Sequence, residues 1–325
     1  MRAKSMADTP VKARAGAGIK KESYGARCKK DWYKNWKLYL IFLPVLIYYI
    51  IFMYGPMYGA VIAFKDFNPM KGILGSDWVG MKHFVDFFSS PDFGKLLFNT
   101  LNISISSLVF GFPAPIILAL MLNEVQKGWY KKTIQTVTYM PHFISLVVVC
   151  GLIKIFVNDS GIITNVLSGI GLVPAEDMLG DKSKFVPIYV ISGIWQEIGW
   201  GSIIYIAALS GINQELYEAA SIDGAGRWRQ LFAVTLPGIL PTIVIMLILR
   251  VGSIMSVGFE KIILLYNPLT YDTADVISSY VYRRGLLESN FSYSTAVGLF
   301  NSLVNFILLI AANQISKRAN DTSIW

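Results

Sequence analysis

The sequence predicts an all-α membrane protein with six transmembrane helices, and three observations support this fold class. Its 325 residues are 54% hydrophobic but only 15% charged, whereas a soluble domain carries about 25% charged residues. The apolar residues fall into long runs, each sufficient to cross about 30 Å of hydrocarbon as a helix. The basic residues gather beside these runs, which is typical of membrane proteins.

The first element is a polar, basic segment of residues 1–37, which we expect to be a mobile cytoplasmic tail. An apolar run follows from Leu38. It is too long for a signal peptide, whose apolar core spans about 7–15 residues, and no small-residue cleavage site follows. We therefore expect a retained first span.

Six spans make up the predicted transmembrane domain, residues 38–316, which a short cytoplasmic C-terminus of residues 317–325 follows. Prolines interrupt the first three spans, and membrane helices tolerate them because neighbouring helices and waters satisfy the freed backbone groups. The six predicted spans are 38–63, 98–123, 134–157, 186–210, 239–265 and 294–316.

The distribution of basic residues predicts the orientation. Lys and Arg are dense in the tail and recur after the second span, after the fourth span and at the C-terminus. Cytoplasmic segments carry this excess, so we expect both termini and the loop of residues 211–237 in the cytoplasm.

Composition also excludes several kinds of protein. The net charge of +8 suggests nucleic acid as a partner, but no nucleic-acid-binding motif accompanies it. The two cysteines, Cys28 and Cys150, predict neither a disulfide nor a zinc site, which needs about four ligands. No phosphate-binding G-x-x-x-x-G-K-[ST] loop is present. We expect no metal site, no catalytic residue and no cofactor on this chain.

The loop 211–237 has an unusual pattern for a connection between spans. Asn213 is positioned to cap a helix, and the sequence after it favours helix until Gly224 and Gly226 bend the chain. A second short helix is predicted from Arg227 to Leu236, ending before Pro237. The pattern therefore predicts a helix, a bend and a helix on the cytoplasmic side.

This loop resembles the signature of ABC importer permeases. Glu218-Ala219-Ala220 is followed by Gly224 and then by Val234-Thr235-Leu236-Pro237, and Asp223-Gly224-Ala225 is similar to the carbohydrate-importing branch. Similarity to polysaccharide and oligosaccharide permeases continues in the stretches 54–59, 64–67, 259–262 and 265–268. In that family the loop is a coupling helix that docks in a groove of the ATPase. The residues that carry this role by resemblance are Glu218, Ala219, Ala220, Asp223, Gly224, Ala225 and Arg227.

The resemblance also implies the fold of type I importers and a set of partners. These are a second, similar permease subunit, two ATPase subunits that bind ATP and Mg²⁺, an external solute-binding protein, an oligosaccharide and the lipid bilayer. It implies the bacterial cytoplasmic (inner) membrane as the location. The identity of the saccharide, and whether the binding protein is periplasmic or lipid-anchored, stay open.

Charged residues within the spans are candidates for the substrate path, because such charges are unfavourable in lipid and often functional. Arg250 is expected near the middle of span five, with Lys261 three turns further along the same face. One hypothesis is a cationic track that contacts sugars, and the other is that Arg250 pairs with Glu197 as a structural tie. Trp195 is a further candidate, for stacking on sugar rings, and Glu260 is a candidate for the outer end.

Two other functions are compatible with six spans. An ion-driven secondary transporter would favour inverted repeats with interrupted helices and acidic residues near the middle of the membrane, and only the charged residues Glu197 and Arg250 point that way. A membrane-embedded transferase would need a carboxylate or histidine cluster with a metal or nucleotide motif, and the sequence contains none.

Overall fold

A computed structural model describes residues 24–125, 127–320 and 322–324, and the chain divides after Tyr58 into two units. The first unit contains α1 (Tyr24–Tyr48), a π-helical turn (Tyr49–Tyr54) and α2 (Gly55–Met57). A kink at Asn35, with φ −116° and ψ 17°, bends α1. Helix therefore extends into the predicted tail, whose residues 1–23 lie outside the described residues.

The second unit begins within a 3-10 turn (Tyr58–Phe64). A small hairpin follows this turn. Strands β1 (Lys65–Asp66) and β2 (Asp77–Trp78) pair antiparallel around α3 (Gly72–Gly75). The Lys65 ammonium donates to the carbonyl oxygens of Ile73 at 2.8 Å and Ser76 at 3.2 Å. These bonds satisfy carbonyls at the end of α3.

The rest of the second unit is helical, with π-helical turns at Ser107–Gly111, Leu231–Thr235 and Arg283–Leu287 and 3-10 turns at Met140–Phe143 and Met178–Gly180. The helices are α4 (Lys82–Phe88), α5 (Asp92–Ser106), α6 (Pro113–Glu124), α7 (Gly128–Tyr139), α8 (Leu146–Val157), α9 (Ile162–Gly169), α10 (Phe185–Ser210), α11 (Gln214–Ile222), α12 (Arg227–Gln230), α13 (Leu236–Val251), α14 (Phe259–Leu265), α15 (Tyr271–Ala274), α16 (Ile277–Tyr282) and α17 (Phe291–Asn320).

Five helical stretches among the described residues are long and apolar enough to cross a membrane: Lys30–Phe64, Asp92–Glu124, Leu146–Gly169, Arg227–Val251 and Phe291–Ala319. Three of these stretches contain the predicted spans one, two and six and begin three to eight residues before them. The fourth predicted span forms one continuous helix, α10, of 26 residues, which is about 39 Å long. Helix α10 is not among the five apolar stretches, because Gln196, Glu197 and several glycines make its composition less apolar.

The predicted start of the third span is wrong, whereas its predicted end at residue 157 coincides with the end of α8. A 3-10 turn at Met140–Phe143 separates α7 from α8, because Pro141 does not continue an α-helix and Ser145 caps the next one. The apolar stretch runs from Leu146 to Gly169 instead, and a short turn at residues 158–161 lies between α8 and α9.

The predicted end of the fifth span is also wrong. Helix α13 ends at Val251, a turn follows at residues 252–258, and α14 is a separate helix. Arg250 consequently lies in the last turn of α13 rather than at the middle of a span. Arg250 and Lys261 therefore lie on two separate helices and not on one face of a continuous helix.

The core of the second unit consists of separate apolar clusters. One joins α8, α10 and α14 around Val149, Phe185 and Ile262, and another joins α6, α10 and α13 around Tyr205 and Ile239. Helix α10 contributes to both clusters. It therefore positions the residues of the cavity described below.

Candidate functional site

The loop 211–237 folds into a helix, a tight bend and a second helix. Asn213 Oδ1 accepts a hydrogen bond from the backbone N–H of Glu215 at 3.1 Å, which confirms the predicted cap of α11. The second helix does not stop before Pro237 as predicted. Pro237 lies in the first turn of α13, directly after a π-helical turn, where its missing N–H is tolerated.

The end of α11 explains why the motif contains small residues. Gly224 has φ +75°, the left-handed conformation that glycine adopts without strain. The Gly224 N–H donates to the carbonyl of Ser221 at 3.1 Å, and the Ala225 N–H donates to that of Ala220 at 2.9 Å. This pair of bonds is a Schellman motif, so Ala220, Gly224 and Ala225 together specify where the helix ends.

The predicted coupling residues lie on one continuous segment around this bend. Arg227 Nη1 is 3.8 Å from Glu124 Oε2, an exposed pair of little energetic weight. Ala220 and Ala225 are half-buried. The exposed members are Glu218, Ala219, Asp223, Gly224 and Arg227.

Polar contacts brace the two helices against each other. Gln230 Nε2 donates to Ser221 Oγ and to the Ala225 carbonyl, each at 3.0 Å. The hydroxyls of Tyr217 and Thr235 lie 3.1 Å apart. Sequence reasoning did not single out Gln230 or Thr235, because their partners are recognisable only once the bend is formed.

Three apolar side chains at the bend are strongly exposed, and we call them the apolar tip. Ile222, Trp228 and Phe232 are 87%, 76% and 65% exposed. Large apolar groups grouped on a surface mark contact sites. The sequence analysis missed Trp228 and Phe232 as candidates, although two aromatic residues in an otherwise polar loop were an available signal.

Helix α10 and the turn after α13 line a cavity of about 570 Å³. It brings together three of the five predicted substrate-path residues, Arg250, Lys261 and Glu197. Trp195 lines a different, apolar cavity of about 650 Å³, and Glu260 is exposed and lines neither. Tyr189, Gln196 and Ser253 also line the charged cavity and were missed, although polar residues within apolar runs could have indicated them.

Lys261 is buried, with 7% of its surface exposed. Its ammonium donates to the carbonyl of Tyr189 at 3.0 Å and lies 4.7 Å from the centre of the Tyr189 ring. A cation over an aromatic face is stabilised by the ring electrons. Lys261 therefore ties α14 to α10 at the wall of the cavity.

Glu197 pairs with His142 rather than with Arg250. Its Oε2 lies 3.0 Å from His142 Nδ1, and the imidazole is stacked on the indole of Trp200 with 4.4 Å between ring centres. Among the described residues, the Arg250 side chain makes no hydrogen bond or ion pair. The hypothesis of an Arg250–Glu197 structural tie is therefore wrong.

The segment of residues 271–288 carries a second set of charges. Asp275, nearly buried, receives hydrogen bonds from Arg283 at 2.6 and 3.2 Å and from Ser279 at 2.8 Å. The bond to Asp275 raises the pKa of Arg283. Asp275 therefore has a structural role.

Asp272 lies on the surface between two lysines. Its carboxylate accepts hydrogen bonds from Lys182 and, at 3.1 Å, from Lys95. The hydrogen bond from Lys182 has the larger effect and the one from Lys95 the smaller, and together they hold the pKa of Asp272 below its usual range. These ion pairs connect α15 to α5 and to the segment before α10.

Long apolar helices, a charged cavity beside them and an exposed apolar tip define a membrane transport subunit. Residues 111–321 match the binding-protein-dependent transport system inner membrane component family, and the chain belongs to this family. It is a permease of the ABC importer class and a transport subunit, not an enzyme. The hypotheses of a secondary transporter and of a transferase are set aside.

Named relatives agree with this assignment. The chain is 46% identical over 319 residues to Protein LplB of Bacillus subtilis (strain 168), with 98% of each chain covered. It is 45% identical over 289 residues to the polygalacturonan/rhamnogalacturonan transport system permease protein YteP of the same organism, covering 89% of this chain and 90% of that protein.

Solved structures confirm the predicted type I importer fold. The chain resembles a chain in the crystal structure of a bacterial alginate ABC transporter in complex with an alginate pentasaccharide-bound periplasmic protein. The TM-score is 0.83 at 46% identity, covering 92% of this chain and 100% of that one. A second structure, of a bacterial ABC transporter involved in the import of the acidic polysaccharide alginate, gives 0.82 at 47% identity, covering 90% and 99%.

Proposed function

We propose that this chain is the permease subunit through which an ABC importer moves an oligosaccharide into the cytoplasm. Its loop 211–237 docks on a separate ATPase, and ATP and Mg²⁺ bind to that partner. A second, homologous permease, two ATPase subunits and an extracytoplasmic solute-binding protein complete the importer. Both termini lie on the cytoplasmic side of the bacterial inner membrane.

The single observation that carries the docking proposal is the apolar tip. Ile222 and Trp228 project from a helix end that a Schellman motif and Gln230 hold in place. Interfaces draw most of their energy from a few such large side chains presented on a rigid element. The coupling residues Glu218 and Asp223 are exposed on the same segment.

The proposal of a saccharide rests on similarity. The transport system of YteP is named for polygalacturonan and rhamnogalacturonan, and the related importer structure was solved for alginate. Both relatives are more than 40% identical to this chain over most of its length. An oligosaccharide is therefore the substrate class that the similarity supports best.

Co-purification tests the proposal. The chain would be co-expressed with the permease, ATPase and binding protein encoded beside it, extracted in mild detergent and assayed for bound ATPase. We compare Ile222→Ala with Ile315→Ala, because Ile315 is also exposed, at 68%, but lies on α17. We expect Ile222→Ala to lower the recovered ATPase severalfold and Ile315→Ala to leave it unchanged.

Two results would count against the proposal. The first is a chain that purifies without any ATPase. The second is an assembled complex whose ATPase activity no oligosaccharide stimulates when the binding protein is present. Equal ATPase recovery with both variants would remove the apolar tip from the interface while leaving the importer assignment intact.

A further inference from the structure

Arg250 lies where two cavities meet. The cavity of about 570 Å³ and a smaller one of about 110 Å³ share Ser107, Tyr189, Arg250, Ser253 and Gly258 in their linings. Ser104 and Ser256 also line the smaller cavity. Arg250 therefore borders both cavities together with several serine hydroxyls, and the larger cavity has room for a sugar ring.

The charges of this space do not balance. The Lys261 ammonium is held by the carbonyl and ring of Tyr189, and the Glu197 carboxylate lies against His142. Arg250 makes no side-chain hydrogen bond or ion pair with any described residue. The remaining unsatisfied charge in the cavity is therefore positive, on a guanidinium that is exposed to the cavity.

A guanidinium has a specific chemical partner. Its planar set of N–H donors matches a carboxylate with two parallel hydrogen bonds, which an ammonium does not reproduce. An unpaired charge in the last turn of a membrane helix is unfavourable unless it meets an opposite charge or water. A neutral sugar would leave the guanidinium without an opposite charge, whereas a uronic acid would supply one.

We propose that Arg250 binds the carboxylate of an acidic oligosaccharide, so that it is a specificity-determining residue that selects uronate-containing substrates. The neighbouring serine hydroxyls bind the hydroxyls of the same sugar. This inference rests on the proposed function, since it assumes that an oligosaccharide crosses the membrane through this subunit. It adds the charge of the substrate and the residue that recognises it.

A competing role for Arg250 is local. A cation in the last turn of α13 interacts favourably with the helix dipole, without any substrate. Lysine keeps that interaction but loses the paired hydrogen bonds. Arg250→Lys and Arg250→Gln therefore separate the two roles, and Arg318→Gln is the matched control, because Arg318 is exposed near the end of α17 and lines neither cavity.

The experiment measures uptake by the complete importer in proteoliposomes. Probes are trimers prepared from polygalacturonan and from alginate, each with and without methyl esters on its carboxyl groups. We expect wild type to take up a free-acid trimer. Arg250→Gln should raise its KM at least tenfold, Arg250→Lys should raise it less, and Arg318→Gln should match wild type. The thermal midpoint of the complex should stay unchanged in every variant.

The outcomes distinguish the two proposals. Equal uptake of the free acid by wild type and Arg250→Gln overturns the inference. Uptake of only uncharged trimers by wild type also overturns the inference. A loss of uptake in Arg250→Gln together with a lower thermal midpoint overturns it as well. In all three cases an oligosaccharide still crosses, so the proposed function stands. If wild type takes up no saccharide, the proposed function fails and the inference fails with it.

Discussion

At the scale of single residues, the loop motif has a local explanation. Gly224 occupies the position at which a Schellman motif requires a left-handed backbone, and Ala225 donates its backbone N–H to the carbonyl of Ala220 in the same motif. Gly224 has open space around it but a φ of +75°, so its backbone conformation, and not crowding by neighbouring atoms of this chain, favours glycine there.

Replacing Gly224 with alanine tests this explanation. Alanine in the left-handed conformation costs about 1 kcal/mol, so we expect the end of α11 to fray and saccharide-stimulated ATPase activity of the complex to fall. Gly226→Ala is the control, because Gly226 has φ −69° and nothing near its added methyl group. If both variants couple as wild type does, the backbone of Gly224 is irrelevant to coupling.

The acidic residues Asp272 and Asp275 lead to a second prediction. Asp275→Asn removes the charge that pairs with Arg283, and breaking a largely buried pair costs about 3 kcal/mol. Asp272→Asn makes the same chemical change three residues earlier at an exposed pair, where little change is expected. Thermal unfolding of the purified chain in detergent should show a lower midpoint only for Asp275→Asn. Equal midpoints for the two variants would contradict the structural role of Asp275.

At the scale of elements, prolines within helices were the main difficulty for prediction. Pro56, Pro113 and Pro237 each lie in the first turn of a helix that follows a π-helical turn, directly for Pro56 and Pro237 and after Phe112 for Pro113. The wider π turn accommodates the missing N–H, so the helical path continues. Pro141 instead follows a helix that ends, and nothing in its immediate sequence distinguishes it from the others.

Close packing of α7 against α10 gives the prediction at this scale. A methyl group on Gly199 would lie 2.1 Å from the carbonyl oxygen of Thr138, so Gly199→Ala forces the helices apart. Overpacking of this kind costs about 1–3 kcal/mol. Gly151→Ala is the control, because Gly151 lies within α8 with nothing near its added methyl group.

The measurement is again thermal unfolding of the purified chain. Gly199→Ala should lower the midpoint, while Gly151→Ala should keep or raise it, since alanine favours helix over glycine. A midpoint for Gly199→Ala at or above the wild-type value would show that α7 and α10 do not need this close approach.

At the scale of the whole molecule, the sequence predicted the loop better than the cavity. The loop geometry depends on bonds between residues a few positions apart, so its motif can be read directly. The cavity depends on Ser107, Glu197 and Arg250, which are distant in sequence and meet only after the helices pack. Arg250 and Lys261 line the same cavity, as predicted, because the turn after α13 brings them together. The helix periodicity on which the prediction was based does not place them there.

The proposed orientation of the chain leads to a fourth prediction. Met70 and Ile222 are 96% and 87% exposed, and the orientation places Met70 outside and Ile222 inside. In a Cys28→Ser background, a membrane-impermeant maleimide added to right-side-out vesicles should label Met70→Cys and not Ile222→Cys. Both should be labelled after permeabilisation. Labelling of Ile222→Cys alone in sealed vesicles would reverse the orientation.

The apolar tip also has a consequence for the life of the protein in the cell. Until a partner covers them, Ile222, Trp228 and Phe232 remain exposed, and uncovered apolar side chains are what chaperones and quality-control proteases recognise. A copy made in excess of its partner would therefore be recognised as incomplete and degraded. The surface proposed for docking would then also keep the amounts of the subunits matched.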